Sequence, residues 1–371
     1  LYVFDDESWV AYTPEGQFDG SQEGWEKVAF VKGTETIPLE SVFDQFYTPR
    51  LLYQVLAEKE FKSNVDLETM APPPSISLTY KQGTRNLYVD DDAVAEITVE
   101  SNTGKILLEA QSKESSIKEI RLYQNGKLVG NKSRNLFVDD DEASDPNTKE
   151  LEIQLAEGLN EFSAVAVNHQ GTESVPEKLN VTFIPKQQSL IKPQGIQAHL
   201  LVIGIDEYQN PKYNLNYAVA DASGFQEKVQ QGLSKITSKT HVYFIKNSDA
   251  IRENILQKIN EIASVANPQD IFIFYYAGHG VVSQDADKEF YLVPTDVTQL
   301  YGNDGALKQK GIAATELKKV ASGIAAQKQL YILDACQSAG ALTTLARGAA
   351  EEKAIAQLAR STGTHWLTAS G

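Results

Sequence analysis

The chain has 371 residues, more than one ordinary domain holds and enough for two or three of usual size. Apolar residues make up 42% and charged residues 23%, a globular balance, and no apolar run nears the roughly 18 residues of a membrane span. Disordered, collagen-like and membrane-spanning chains are thereby set aside. Fifty acidic against 34 basic side chains give a formal charge of -16, which repels a phosphate backbone, so nucleic acid is not an expected partner.

The single cysteine, Cys336, leaves no internal disulfide and no cysteine-rich zinc site, and a lone thiol suits a reducing, cytoplasmic compartment. The chain opens at Leu1, holds one methionine, Met70, and shows no charged and apolar leader, so a fragment of a longer protein is expected. Residues 1–70 read as an amino-terminal α+β segment. Short β-like pieces at Ser8–Tyr12 and Trp25–Val31 are separated by the turn-forming Pro14–Gly20. Thr48 is the expected cap of a helix with Pro49 at its first position and Leu51, Leu52, Val55 and Leu56 on its apolar face. Ala71-Pro72-Pro73-Pro74 then imposes an extended boundary, because proline fixes its own backbone and biases its predecessor away from helix.

Over residues 75–184 the apolar residues alternate: Ile76 and Leu78, Ile97 and Val99, Ile120 and Leu122, Leu151, Ile153 and Leu155, then Phe162, Ala164 and Ala166. Short strands with turn signals such as Asn125-Gly126 between them describe a small antiparallel, all-β sandwich, similar to immunoglobulin-like domains but without their cysteine pair. Within it Arg85–Asp92 recurs almost letter for letter as Arg134–Asp141. Its carboxylates read as solvated acidic turns, with a calcium loop as the alternative that lacks the usual ligand spacing.

Pro185–Gly195 is a polar linker. Over residues 196–371 the pattern changes. Leu200–Ile205, Val242–Ile245, Ile271–Tyr276 and Leu330–Leu333 are continuous apolar runs, as in parallel strands buried on both faces. Between them Leu215, Val219, Ala222, Phe225 and Val229 form one helical stripe, and Ile251, Ile255, Ile259 and Ile262 another with Ser248 as expected cap. The fold class expected here is α/β, three layers around a mainly parallel sheet.

Chemistry in such sheets gathers at the carboxyl ends of strands. One run leads into Ala277-Gly278-His279-Gly280 and another into Asp334-Ala335-Cys336-Gln337-Ser338. If these strands are neighbours, an imidazole and a thiol share one sheet edge, and the imidazole can take the proton that keeps the thiol from being a nucleophile. The glycines admit a peptide close to the backbone and leave the Gly280 and Cys336 N–H groups to hold an oxyanion. Alone, a strand-end cysteine reads as a small buried hydrophobe and Gly-His-Gly as a turn.

Together, and in this order, the two segments resemble the caspase-like cysteine peptidases (caspases, metacaspases and bacterial orthocaspases) over residues 198–371. The resemblance implies His279 as the base, Cys336 as the nucleophile, Gly280 as the oxyanion-hole glycine, and no cofactor or metal. Metacaspases take arginine or lysine through acidic residues where animal caspases take aspartate through basic ones. Asp334, two before Cys336, and Asp221, in Ala218-Val219-Ala220-Asp221, match those acids. Paired carboxylates complement a guanidinium bidentately; a solvated helix position for Asp221 and backbone hydrogen bonding at the turn for Asp334 are the alternatives. Two positions depart from the pattern. Ala313-Ala314 stand where calcium-dependent metacaspases carry an Asp pair, so calcium activation is not expected, and Ala277 stands where many have serine.

Beyond Cys336, Arg347-Gly348 reads as a small-residue loop at which an arginine-specific enzyme would process itself. A helix over Ala349–Arg360 and a strand over Thr364–Thr368 follow, with the last part of the family's domain missing. The run Ser8–Ser21 looks like a module that joins a sensor to the peptidase in larger bacterial members. The implied function is a cysteine endopeptidase cutting after basic residues, arginine before lysine. It would be regulated or latent, with links to bacterial defence or cell death, a protein or peptide as substrate, and a regulatory protein or upstream sensor as partner. The rival reading is a non-catalytic scaffold, against which the intact His279 and Cys336 pair argues.

Overall fold

The computed structural model describes residues 1–58, 69–82, 85–87, 95–130, 145–185, 195–285, 289–300, 302, 304–334 and 344–368. The four apolar runs are parallel strands: β1 (Gln197–Gly204), β2 (Lys239–Lys246), β3 (Ile271–Ala277) and β4 (Lys328–Asp334). A fifth strand, β5 (His365–Thr368), pairs with β4 in parallel and completes the order β2-β1-β3-β4-β5. The helices are α1 (Ala218–Leu233), α2 (Arg252–Val265), α3 (Ala314–Gly323) and α4 (Thr344–Thr362).

The apolar runs are continuous because both faces of this sheet are covered. Leu201, Ile203, Phe272, Phe274, Tyr276, Tyr331 and Leu333 point to one side, against Ile255, Ile259 and Ile262 of α2 and Leu317 and Val320 of α3. The alternate residues Leu200, Val202, Ile273, Tyr275 and Ala277 point to the other, against Ala218, Ala222, Phe225 and Val229 of α1. Fully buried rings such as Phe272 and Phe274 each contribute about 1.5–3 kcal/mol. The helix caps differ from expectation. Ser248 lies in the short turn Asn247–Asp249, and α2 begins only at Arg252. Its Arg252 guanidinium instead reaches across to Glu316, whose carboxylate also accepts from the Ala313 N–H at 3.0 Å.

Two sheets are built from residues 75–184. One is five-stranded, in the order Lys127–Leu128, Ile117–Gln124, Gly158–Asn168, Glu177–Phe183, Ala95–Val99. The other is four-stranded, in the order Thr148–Gln154, Thr103–Gln111, Ser75–Gln82, Arg85–Leu87. Ile106, Leu108, Leu151 and Ile153 from one meet Ile120, Leu122, Phe162 and Val181 from the other in a shared core. One pairing departs from an all-antiparallel arrangement, since Glu177–Phe183 runs parallel to Ala95–Val99. Asn125-Gly126 closes a two-residue hairpin with φ of 51° and 82° at its centre, the left-handed pair this tight turn requires. Asp90, Asp91, Asp92 and the whole of Arg134–Asp141 lie outside the described residues, as do 186–194 of the linker.

The amino-terminal part packs around aromatic rings, with Phe43 stacked on Tyr47 at 4.3 Å and Phe18 and Trp25 edge-on to Phe43. Its helix is shorter than expected, Leu51–Leu56, and is preceded by Arg50 at φ 60° rather than capped by Thr48. Only Leu51 of the expected apolar face is buried; Leu52, Val55 and Leu56 are exposed.

Helix α4 ties these parts to the parallel sheet. Arg360 pairs with Glu40 at 2.7 Å and Glu173 at 2.6 Å, and its guanidinium lies 5.3 Å over the Phe43 ring. Glu173 in turn pairs at 2.6 Å with Arg121, a buried cation that also meets Glu119 at 2.9 Å. Gln357 donates to the Asp44 carbonyl, Lys353 to that of Gln45, and Arg50 pairs with Glu352. A further buried cation, Lys127, donates to the Ile324 and Ser322 carbonyls just past and within the end of α3, and burial pulls its ammonium down to about 7. Arg347 falls inside α4, so the loop expected there is a helix; Leu, Ala and Glu around it favour that conformation.

Candidate active site

The strand order reverses around β1, which has β2 on one side and β3 on the other, so the switch point at which such sheets place their chemistry lies between the carboxyl ends of β1 and β3. His279 stands at this edge, two residues past the end of β3, and is 5% exposed. Its imidazole meets the segment that follows β1: Nε2 lies 2.7 Å from the Tyr213 carbonyl oxygen. A carbonyl only accepts, so Nε2 carries the proton and Nδ1 is left with its lone pair, the form a base requires. Burial lowers the affinity of the ring for a second proton, partly offset by the Tyr213 carbonyl, and keeps it neutral.

Two tyrosines hold the backbone that carries this ring. The His279 N–H donates to Tyr208 Oη at 2.9 Å. Tyr276 Oη lies 2.9 Å from the His279 carbonyl and 2.8 Å from that of Val293, its one proton shared between them. It also accepts from the Val293 N–H at 3.2 Å. Both hydroxyls are pushed up by burial, that of Tyr208 to about 12, and stay protonated. Gly278 lies under the pair: a Cβ there would come within 2.8 Å of Tyr276 Oη and 2.9 Å of Tyr208 Oη. Gly278→Ala is therefore expected to shift both hydroxyls at a cost of about 1–3 kcal/mol and to lower turnover more than substrate affinity. Melting curves together with kcat and KM check this. Gly280 begins the short strand Gly280–Val282, opposite Leu292 in a small antiparallel sheet.

The strands bearing the two motifs are hydrogen-bonded neighbours, with Ala277 opposite Asp334. The Gly278 N–H donates to the Asp334 carbonyl at 3.2 Å, which joins the end of β4 to the histidine turn. Asp334 follows Ile332 and Leu330 on the face turned to α1, and its Oδ2 accepts from Tyr275 Oη at 3.2 Å. Asp221 is exposed in the first turn of α1. Its charge and that of Asp334 both act on the Tyr275 hydroxyl, which burial first and then these carboxylates push upward. Cys336, two residues beyond Asp334, lies outside the described residues, and so does the side chain of Arg347.

Three contributors had no sequence signal of their own: the Tyr213 carbonyl is main chain, and Tyr208 and Tyr275 are aromatic residues of a kind that any core contains. Tyr276 opens the Tyr-Ala-Gly-His-Gly segment that carries the resemblance, but its hydrogen bonds were not legible there. The other histidines sit elsewhere: His199 and His241 stack 5.0 Å apart on β1 and β2, and His199 Nε2 is 3.7 Å from Asp270. His169 and His365 are exposed. Ala313 and Ala314 form the start of α3.

Comparison with known proteins adds the following. Residues 197–366 match the peptidase C14 family, described as a caspase domain. No curated protein matches the chain. Among solved structures, protein GSU0716 of Geobacter sulfurreducens is 20% identical over 40% of this chain and 54% of that one, with a TM-score of 0.31. The chain thus spans about half the length of that relative. Fibronectin(III)-like modules of CbhA from Clostridium thermocellum are 18% identical over 30% of this chain and all of theirs, with a TM-score of 0.21. The PKD domain of an M14-like peptidase from a Thermoplasmatales archaeon is 14% identical over 32% of this chain and 100% of its own, also at 0.21. With its five parallel strands between helices and this family match, the stretch from residue 197 to residue 366 is a caspase-like peptidase domain.

Proposed function

We propose that the chain is a cysteine endopeptidase cutting after arginine, and less readily after lysine, in a protein or peptide. The observation that carries this reading is the pairing of β3 with β4, which puts a neutral, carbonyl-anchored His279 at the edge from which the Cys336 segment departs. His279 Nδ1 takes the thiol proton of Cys336, and the thiolate attacks the peptide carbonyl. The Gly280 and Cys336 N–H groups hold the oxyanion. Collapse breaks the C–N bond, the amine leaves with the proton from His279, and a water deprotonated by the same ring hydrolyses the thioester. No cofactor enters. Asp334, with Asp221 on the facing helix, receives the basic side chain.

The two β-sheets of residues 75–184 act as an immunoglobulin-like unit, between the amino-terminal segment of residues 1–70 and the peptidase domain from residue 196 on. In a cytoplasmic setting these units keep the protease latent until a regulator or upstream sensor acts. Support comes from α4, which follows the Cys336 segment and is gripped by Glu40, Asp44, Gln45 and Glu173 of the other two units. Self-cleavage after Arg347 would require the first turns of α4 to open, since a protease takes its substrate extended.

Fluorogenic peptides with arginine, lysine or aspartate before the cut test the specificity. Arginine is expected to be cut fastest, and Asp334→Asn to lose about a hundredfold in kcat/KM on it, the usual scale for removing one partner of a desolvated charge pair. Preference for aspartate would overturn the acidic pocket, and equal turnover by Cys336→Ala would leave the domain a scaffold.

A further inference from the structure

The face of the sheet beneath α1 bears one group that the reaction does not use. Tyr275 is 5% exposed, and its ring stacks on Phe225 at 4.1 Å with 16° between planes. Phe225 stands one turn after Asp221 on α1, so the two share a side of that helix. Across the sheet, the hydroxyl donates to Asp334 Oδ2 at 3.2 Å and is, among the described residues, the side-chain hydrogen bond this carboxylate receives. Asp221, Phe225, Tyr275 and Asp334 thus form one continuous row from helix to strand end. The ring is fixed by its stack, and the hydroxyl by its ring.

We propose that Tyr275 is a positioning residue for substrate choice: by holding one oxygen of Asp334 it sets the plane of the carboxylate to suit the fork of an arginine guanidinium. This rests on the reading of the domain as a peptidase for basic residues. A guanidinium is planar and binds a carboxylate best through two parallel N–H···O bonds, which requires the two planes to coincide. An ammonium is a point charge with rotatable donors and has no such requirement. A carboxylate at a strand end turns about its last bond unless something stops it, and Tyr275 does so from a buried, stacked position. Burial together with the charges of Asp334 and Asp221 keeps the hydroxyl protonated, so it remains a donor. A hydroxyl that merely satisfied itself on the nearest acceptor would affect arginine and lysine alike.

Binding to the full chain carrying Cys336→Ala, measured by calorimetry, separates these cases without turnover. The probes are an acetylated tetrapeptide amide ending in arginine, its lysine counterpart and, as a control, its aspartate counterpart. Adding Tyr275→Phe is expected to weaken the arginine peptide about tenfold and the lysine peptide about twofold or less, the scale of one hydrogen bond to a charged group. Phe225→Leu, which keeps the hydroxyl but removes the ring that seats it, is expected to give a smaller loss in the same direction. Melting curves verify that each variant folds. Equal loss for both peptides, or none, with the parent still binding them, overturns the role of Tyr275 and leaves the peptidase reading standing. A parent that binds neither peptide, or prefers one ending in aspartate, overturns that reading and this inference with it.

Discussion

His279→Ala is expected to lower kcat/KM on an arginine peptide by about a thousandfold or more, as follows where a base is removed from a nucleophile that acts only with it. For Cys336→Ala the expected effect is at least as large, and the double variant is expected to fall no further if the two groups act as a unit. The pH profile carries a second signature. Burial lowers the histidine's proton affinity from the ordinary 6.5, so the ring stays neutral to more acid pH than a free imidazole. The acid limb of kcat/KM is therefore expected to have its midpoint below 6.5, activity being present above it and lost as the ring takes a second proton. A midpoint above that value would mean that the ring takes its second proton more readily than a free imidazole, and that burial does not govern the acid limb.

Glu173→Ala is expected to destabilise the chain by about 3–5 kcal/mol, the usual cost of leaving buried charges without their partner. Two cations depend on this one carboxylate: Arg121 at 2.6 Å, itself 7% exposed at the side chain, and Arg360 at 2.6 Å. Glu119 and the more distant Asp44 at 4.0 Å remain to Arg121, and Glu40 to Arg360, but none of them takes the place Glu173 occupies on either guanidinium. The double replacement Arg121→Met with Glu173→Leu is expected to recover only part of the loss, because the desolvation of that pair disappears while Arg360 still lacks Glu173 and Glu119 loses one of its two cations. Urea unfolding of the three proteins measures this, and hydrogen exchange over α4 measures the accompanying release of Arg360. Unchanged unfolding in Glu173→Ala would show that the pairs contribute nothing to holding α4.

The same network sets a direction with pH. Burial opposes ionisation of Glu119, but the Arg121 and Lys318 charges prevail and bring its carboxyl down from 4.5 to about 2. A carboxyl lowered on folding adds stability above its unfolded value, and that contribution is lost as pH falls through the folded one. Acid unfolding is thus expected to begin below about pH 4.5 and to shift to higher pH when Lys318→Met removes one of the two cations.

Much of the parallel sheet was legible in the chain, because continuous runs such as Ile271–Tyr276 admit few arrangements other than strands covered on both faces. The neighbouring placement of the histidine and cysteine strands was expected only as the commonest arrangement of consecutive strands; it is found here, whereas the consecutive β2 and β3 are separated by β1. Helix starts were less legible. Ser248 and Thr48 are good capping residues, yet neighbouring turns took the chain elsewhere, and local propensity yields when tertiary contacts compete with it. Arg347-Gly348 looked like a loop because glycine usually interrupts a helix, but α4 continues through it; its later turns are held by Glu40, Gln45 and Glu173, which lie far away in sequence.

By itself the sequence determined the residue types that chemistry needs and the strands from which they depart, since these depend on short stretches whose periodicity and spacing can be read one at a time. Only the tertiary structure decided which nitrogen of His279 carries the proton, what braces Asp334, and which units grip α4. Those answers depend on the Tyr213 carbonyl, the Tyr275 hydroxyl and the Glu173 carboxylate reaching their partners from distant parts of the chain. A main-chain oxygen or a core tyrosine carries no mark of such a role until folding brings its partner within hydrogen-bonding distance.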